Sequence, residues 1–165
     1  MLKQVQDGRC ICRNPRYIHQ AMSEALYNTQ VLRLAASIPH AERLAAPQAS
    51  AARRSPICGS RVTVDVVLDG RGRVAELGQE VRACALGQAS ASLMGANAIG
   101  RTADELAAAR DGLAAYLKGE AETPGPWPGL DLFAAARAHS ARHPSILLAF
   151  EAAAEAAAQA GTAAH

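Results

Sequence analysis

Apolar and polar positions change their spacing twice along the chain. From Ser23 to Ser37, Leu26, Val31, Leu34 and Ile38 fall near one stripe at spacings of three to five, which predicts a helix stopped by Pro39. In Arg61–Leu68 the spacing drops to two: Val62, Val64, Val66 and Leu68 alternate with Arg61, Thr63, Asp65 and Val67, as in a strand. Asp69-Gly70 closes that run, and a weaker strand is expected within Arg73–Arg82, giving an antiparallel hairpin with one face buried. From Ala85 onward the chain reads as helical. Ala85–Ile99, dense in Ala, Ser and Gly, ends at Gly100. Thr102 and Glu105 form a capping box that opens a helix running to Lys118, before Gly119. Residues 120–129 are a turn-rich insertion, followed by a helix from about Leu130 to Ser140, a break at His143-Pro144, and a last helix from about Ser145 to Gly161. Residues 40–57, with Pro47, Ser50 and Pro56, read as one long connection. Helices before and after a small sheet predict an α+β domain, a small antiparallel β-sheet packed against several α-helices.

Composition sharpens this picture. Of the 165 residues 39 are Ala and only 4% are aromatic, which excludes a large aromatic-rich sandwich core and favours closely packed helices. The formal charge is +2. Residues 1–20 carry +3 of it through Lys3, Arg9, Arg13 and Arg16 against Asp7, leaving the rest at −1. A near-neutral domain offers no electrostatic case for nucleic acid or an anionic membrane. Residues 1–20, with Gly8 and Pro15 and no sustained period, are expected to be a flexible leader, and 21–165 the domain proper. The leader has no apolar core segment, and Glu151 and Glu155 interrupt the best apolar run, so a cytoplasmic address is expected. There, cysteines are free, catalytic or metal-binding rather than disulfide-bonded.

Cys58 and Cys84 are the informative pair. Cys58 lies just before the predicted hairpin and Cys84 just after it, and a hairpin brings its entry and exit to one end. Two thiols 26 positions apart can therefore share a site. A helix start at Cys84 favours thiolate, and Gly59 permits close backbone approach to an ion. The alternative reading is that both are buried filler, since free cysteine is among the most buried residue types. Cys10 and Cys12 form a Cys-x-Cys pair in the leader, either a soft metal trap or an inert tail, with no second pair at finger spacing. His19, His40 and His165 are isolated, whereas His139 and His143 are four apart, with Pro144 disfavouring a helical His143. Gly70-Arg71-Gly72 lacks the rest of a dinucleotide fingerprint, and neither a phosphate loop nor a nucleophile elbow is present. Scattered carboxylates give no hydrolase pair, and no enzymatic activity is expected.

Ser-Pro-Ile-Cys-Gly-Ser, residues 55–60, resembles the Asn-Pro-x-Cys-Gly-Asp segment of the NifU/IscU/SufU family of iron–sulfur cluster assembly scaffolds. Ala-Cys-Ala-Leu-Gly-Gln-Ala-Ser-Ala-Ser, residues 83–92, is similar to the family's Gly-Cys-Ala-Ile-Ser-Gln-Ala-Ser. The order of helix, Cys loop, hairpin, Cys and helices also fits, the likeness spans roughly residues 23–160, and the insertion at 120–129 is more like the SufU branch. The resemblance implies that Cys58 and Cys84 hold iron, a nascent Fe–S cluster or zinc, and that a cysteine desulfurase and other Fe–S assembly proteins are the partners. Two family ligands differ here. The aspartate two after the first cysteine is Ser60, and in Arg142–Phe150 the third cysteine becomes Ser145. Neutral serine is a poor ligand beside thiolate or carboxylate, so His143 is the expected substitute. The resemblance leaves two alternatives: a sulfur acceptor for a cysteine desulfurase, with Cys58 or Cys84 replacing the lost third cysteine, and a site-degenerate, non-catalytic binding module of the assembly machinery.

Overall fold

The computed structural model describes residues 25–163. Its elements are α1 (Thr29–Ala36), β1 (Ala49–Arg54), β2 (Arg61–Leu68), β3 (Val74–Arg82), α2 (Ala85–Ala98), α3 (Ala103–Lys118), two 3-10 helices (Leu130–Ala138 and Ser140–Arg142) and α4 (His143–Ala163). The three strands form one antiparallel sheet in the order β1-β2-β3. The fold is the expected α+β one: α4 packs against β1 and β2 and α2 against β3, while α1 packs on α2 and α3 on α4. The leader with Cys10, Cys12 and His19, and His165 at the other end, lie outside the described residues.

On one face of the sheet Val62, Val64 and Val66 are fully buried against α4. That helix is buried largely through alanines: Ala149, Ala152, Ala153, Ala156, Ala157 and Ala160 have no solvent exposure. Small side chains let helix and sheet approach closely, which is where the alanine-rich composition is used. Phe133, Phe150, Leu106 and Leu113 fill the wider spaces between helices.

Four expectations are corrected. Residues 40–57 are not simply a connection, because they contain β1. Ala-Ser-Ala-Ala-Arg-Arg has no apolar alternation and almost no β propensity, so only pairing with β2, Ala49 opposite Val66 through Arg54 opposite Arg61, makes it a strand. The sheet is not one-faced either. Thr63 and Asp65 are buried on the second face, which the segment around residues 39–44 covers like a strap. The backbone N–H of Gln79 donates to the His40 carbonyl at 2.8 Å, and a Cβ on Gly78 would sit 2.5 Å from the Glu42 carbonyl oxygen, so the strap lies directly on β3. The segment after the insertion is a 3-10 helix, not an α-helix. Its buried residues Leu130, Phe133 and Ala136 recur every third position, the period of a three-residue turn. Finally, α4 begins at His143, whose backbone is helical at φ −55°, ψ −46°, rather than after a break. Pro144 falls in the first turn, where its missing N–H costs no hydrogen bond.

Candidate functional site

The residues 55–60 link β1 to β2 at one end of the sheet. The Ser55 backbone N–H donates to the Ser60 carbonyl at 2.8 Å and closes the loop, and Gly59 turns it with φ +70°, a left-handed conformation natural to glycine. Inside the loop the Ser55 hydroxyl accepts from the N–H groups of Ile57 and Cys58 at 3.4 and 3.5 Å. These bonds hold Cys58 at the loop's tip, exposed to solvent. The partner of Arg61 on β3 is Arg82, so β3 ends beside this loop and Cys84 follows two residues later as the N-cap of α2. Cys84 is half-buried.

Ser145 comes from the first turn of α4, and α4 reaches the site because α2 has a glycine facing it. A Cβ on Gly87 would lie 2.7 Å from the Ala83 Cβ and 2.8 Å from the Ser145 Oγ. Nearby, the Ser90 hydroxyl donates to the Ile146 carbonyl and fixes the first turn of α4 against α2.

Four side chains from three parts of the chain thus form one string. Cys58 Sγ lies 3.0 Å from Ser60 Oγ, the Ser145 hydroxyl donates to Ser60 Oγ at 3.5 Å, and Cys84 Sγ lies 3.1 Å from Ser145 Oγ. The two serines are buried and the two thiols are the outer ends. The Ser55 and Ser60 hydroxyls favour the charged form of Cys58, and burial opposes them only weakly, so its pKa falls to about 7. Near neutral pH Cys58 is therefore a better source of thiolate than an ordinary cysteine.

His143 is arranged differently. Its Nε2–H donates to the Ala136 carbonyl at 2.8 Å. Among the described residues no three His, Cys, Asp or Glu side chains lie close enough together to hold a metal. His40 and His139 stand outside the string as well. The donor set is two thiols and two hydroxyls. Thiolates are strong soft donors for iron or zinc; hydroxyls remain protonated at neutral pH and serve as hydrogen-bond partners of sulfur rather than as ligands. Sequence reasoning missed the parts played by Ser55 and Gly87. Ser55, three residues before Cys58, carried the local signal of a serine turn; Gly87 carried none, because its neighbour is 58 positions away.

No protein-family model matches the chain, and no curated protein does. Among solved structures, an N-terminal nitrogen-fixing NifU-like protein from Brucella abortus is similar over 86% of this chain and 98% of its own, at 41% identity and a TM-score of 0.80. A putative iron–sulfur cluster assembly scaffold protein for the SUF system from the thermophile Fervidobacterium islandicum AW-1 covers 82% of this chain and 98% of its own, at 18% identity and a TM-score of 0.75, a likeness of fold.

Proposed function

Because the chain belongs to the NifU/IscU/SufU family of iron–sulfur cluster assembly scaffolds, we propose that it carries iron, a nascent cluster or zinc on the thiolates of Cys58 and Cys84. The observation behind this reading is the string Cys58–Ser60–Ser145–Cys84. The four positions that correspond to the family's ligands meet at one end of the sheet, although two of them are serines. Two thiolates make a deliberately incomplete shell, one that water, sulfide or a partner's donor fills, and such cargo is held loosely enough to pass on. Ser60 donates toward the Cys58 sulfur and Ser145 toward Ser60, and His143, tied to Ala136, stays out of the ligand set. A cysteine desulfurase is the partner that supplies the sulfur. As a scaffold the protein carries cargo and has no turnover of its own. Anaerobic reconstitution with ferrous iron and sulfide, or with zinc, tests this. The wild type retains metal through desalting, and Cys58→Ser and Cys84→Ser each lose it; a wild type that retains neither metal overturns the proposal.

One observation favours a second reading, in which Cys58 accepts sulfur. It is exposed, and its pKa of about 7 supplies thiolate at neutral pH. The Cys58 thiolate attacks the outer sulfur of a donor persulfide, a new S–S bond forms at Cys58, the old one breaks, and the donor leaves as a thiolate with no net oxidation. Incubation with desulfurase and free cysteine then adds one sulfur to the intact mass of the wild type and none to Cys58→Ser; an unchanged wild-type mass removes this reading.

A further inference from the structure

A row of three arginines crosses the sheet at the end that carries the thiols. Arg54 on β1 is paired with Arg61 on β2, and Arg61 with Arg82 on β3. Residues directly opposite in antiparallel strands share a face, so the three side chains stand side by side over two interstrand spacings, about 10 Å. All three are exposed. Among the described residues neither Arg54 nor Arg61 forms an ion pair, and Arg82 pairs only with Glu80, at 3.0 Å, with 78% of its side chain still in solvent. The row therefore keeps a net positive charge in a domain that is otherwise close to neutral. Like charges directly opposite each other destabilise a sheet, and here the repulsion is repeated on both sides of Arg61.

The position of the row gives it a use. Arg54 and Arg61 are the two residues that bracket the Cys58 loop, and Arg82 lies two residues before Cys84. At the tip of that loop, next to Cys58, Ile57 projects with 65% of its surface exposed. A small anion would be gripped by one or two guanidinium groups and would gain nothing from Ile57. A line of three guanidiniums beside a protruding apolar side chain suits a protein surface instead: carboxylates pair with guanidiniums bidentately, and arginine with an apolar anchor is the usual composition of an interface.

We propose that Arg54, Arg61 and Arg82, with Ile57 beside them, dock an acidic protein face that surrounds the reactive sulfur of the sulfur-donating partner and delivers it to Cys58. This rests on the assembly reading above and adds the surface by which the partner is recognised. The arginines set encounter and orientation, and Ile57 seats the loop.

The probe is the cysteine desulfurase of the same organism, titrated at low and at physiological salt against the full chain. Arg54→Glu/Arg61→Glu is expected to raise Kd at least about tenfold and to flatten its salt dependence. Ile57→Ser is expected to raise Kd a few-fold with the salt dependence retained. The Cys58→Ser/Cys84→Ser variant keeps wild-type affinity. Arg61→Glu alone replaces two repulsive cross-strand pairs by attractive ones, so its unfolding midpoint lies at or above the wild-type value, and Arg54→Gln/Arg61→Gln serves as a second pair free of new charge. Unchanged affinity in both double-arginine variants overturns the proposal. So does inorganic pyrophosphate binding that needs the arginines while desulfurase binding does not. Metal retention by the arginine variants separates the two ideas: loss of docking with retained metal is the expected result, whereas failure of the wild type to hold metal defeats the scaffold reading and leaves the docking measurement standing.

Discussion

Two polar clusters sit on the same small sheet and are handled in opposite ways. Asp65, in the middle of β2, is completely buried. Its two oxygens accept from the Arg43 guanidinium at 2.6 and 2.9 Å, from the Leu44 N–H at 3.0 Å and from the Ser50 hydroxyl. Burial pushes the carboxyl pKa up, but the bonds from Arg43, Ser50 and Leu44 outweigh it and hold the group below its ordinary value. Every bond is spent within the chain, and the result pins the strap to the sheet. At the sheet's end, Cys58 and Cys84 have only neutral hydroxyl partners among the described residues, and Cys58 opens to solvent. A polar group satisfied internally is structure. A polar group left half-satisfied at the surface is available to something else.

Breaking the first cluster has the largest effect. Asp65→Ala leaves the Arg43 end, the Leu44 N–H and the Ser50 hydroxyl without their acceptor and is expected to cost about 3 kcal/mol in chemical denaturation, while the pH profile of Cys58 alkylation is unchanged. The pH dependence follows the same cluster. Because Asp65 is held low in the folded state, its stabilisation is present above the unfolded aspartate pKa of about 4 and is lost as pH falls through the folded value. Acid denaturation of Asp65→Asn lacks that component.

A middle-sized effect links the two regions. Gly87→Ala pushes a methyl group against Ser145 and Ala83, costs about 1–3 kcal/mol by overpacking, and lowers metal retention because it displaces the start of α4. If retention is unaffected, the position of Ser145 is irrelevant to the site.

The smallest changes in stability fall at the site itself. Ser145→Cys is expected to alter unfolding by less than about 1 kcal/mol, since the side chains are similar in size, yet to strengthen metal retention by adding a third thiolate. Ser60→Ala removes a donor to Cys58 and raises its alkylation midpoint from about 7 toward the ordinary thiol range, with little change in stability. A midpoint that stays at 7 assigns the effect to the donors that remain, Ser55 first among them.

The amino-acid pattern by itself determined the parts whose causes are local. The alternating valines of β2, the Thr102/Glu105 capping box with Thr102 accepting from the Glu105 N–H at 3.2 Å, and the helix ending at Gly119 with φ +80° are all consequences of neighbouring residues. The two cysteine segments, and with them the family, were legible for the same reason. Tertiary structure alone decided the rest. β1 is a strand only because β2 offers it a partner, the 3-10 geometry of 130–138 follows from what its three-residue stripe packs on, and α4 starts at His143 because the first turn of a helix has no use for the N–H that proline lacks. The same holds for the string of Cys58, Ser60, Ser145 and Cys84 and for the arginine row. Each depends on register and on close approach between segments far apart in the chain, and a hydrogen bond or a repulsion across such a gap leaves no local period from which it could be read.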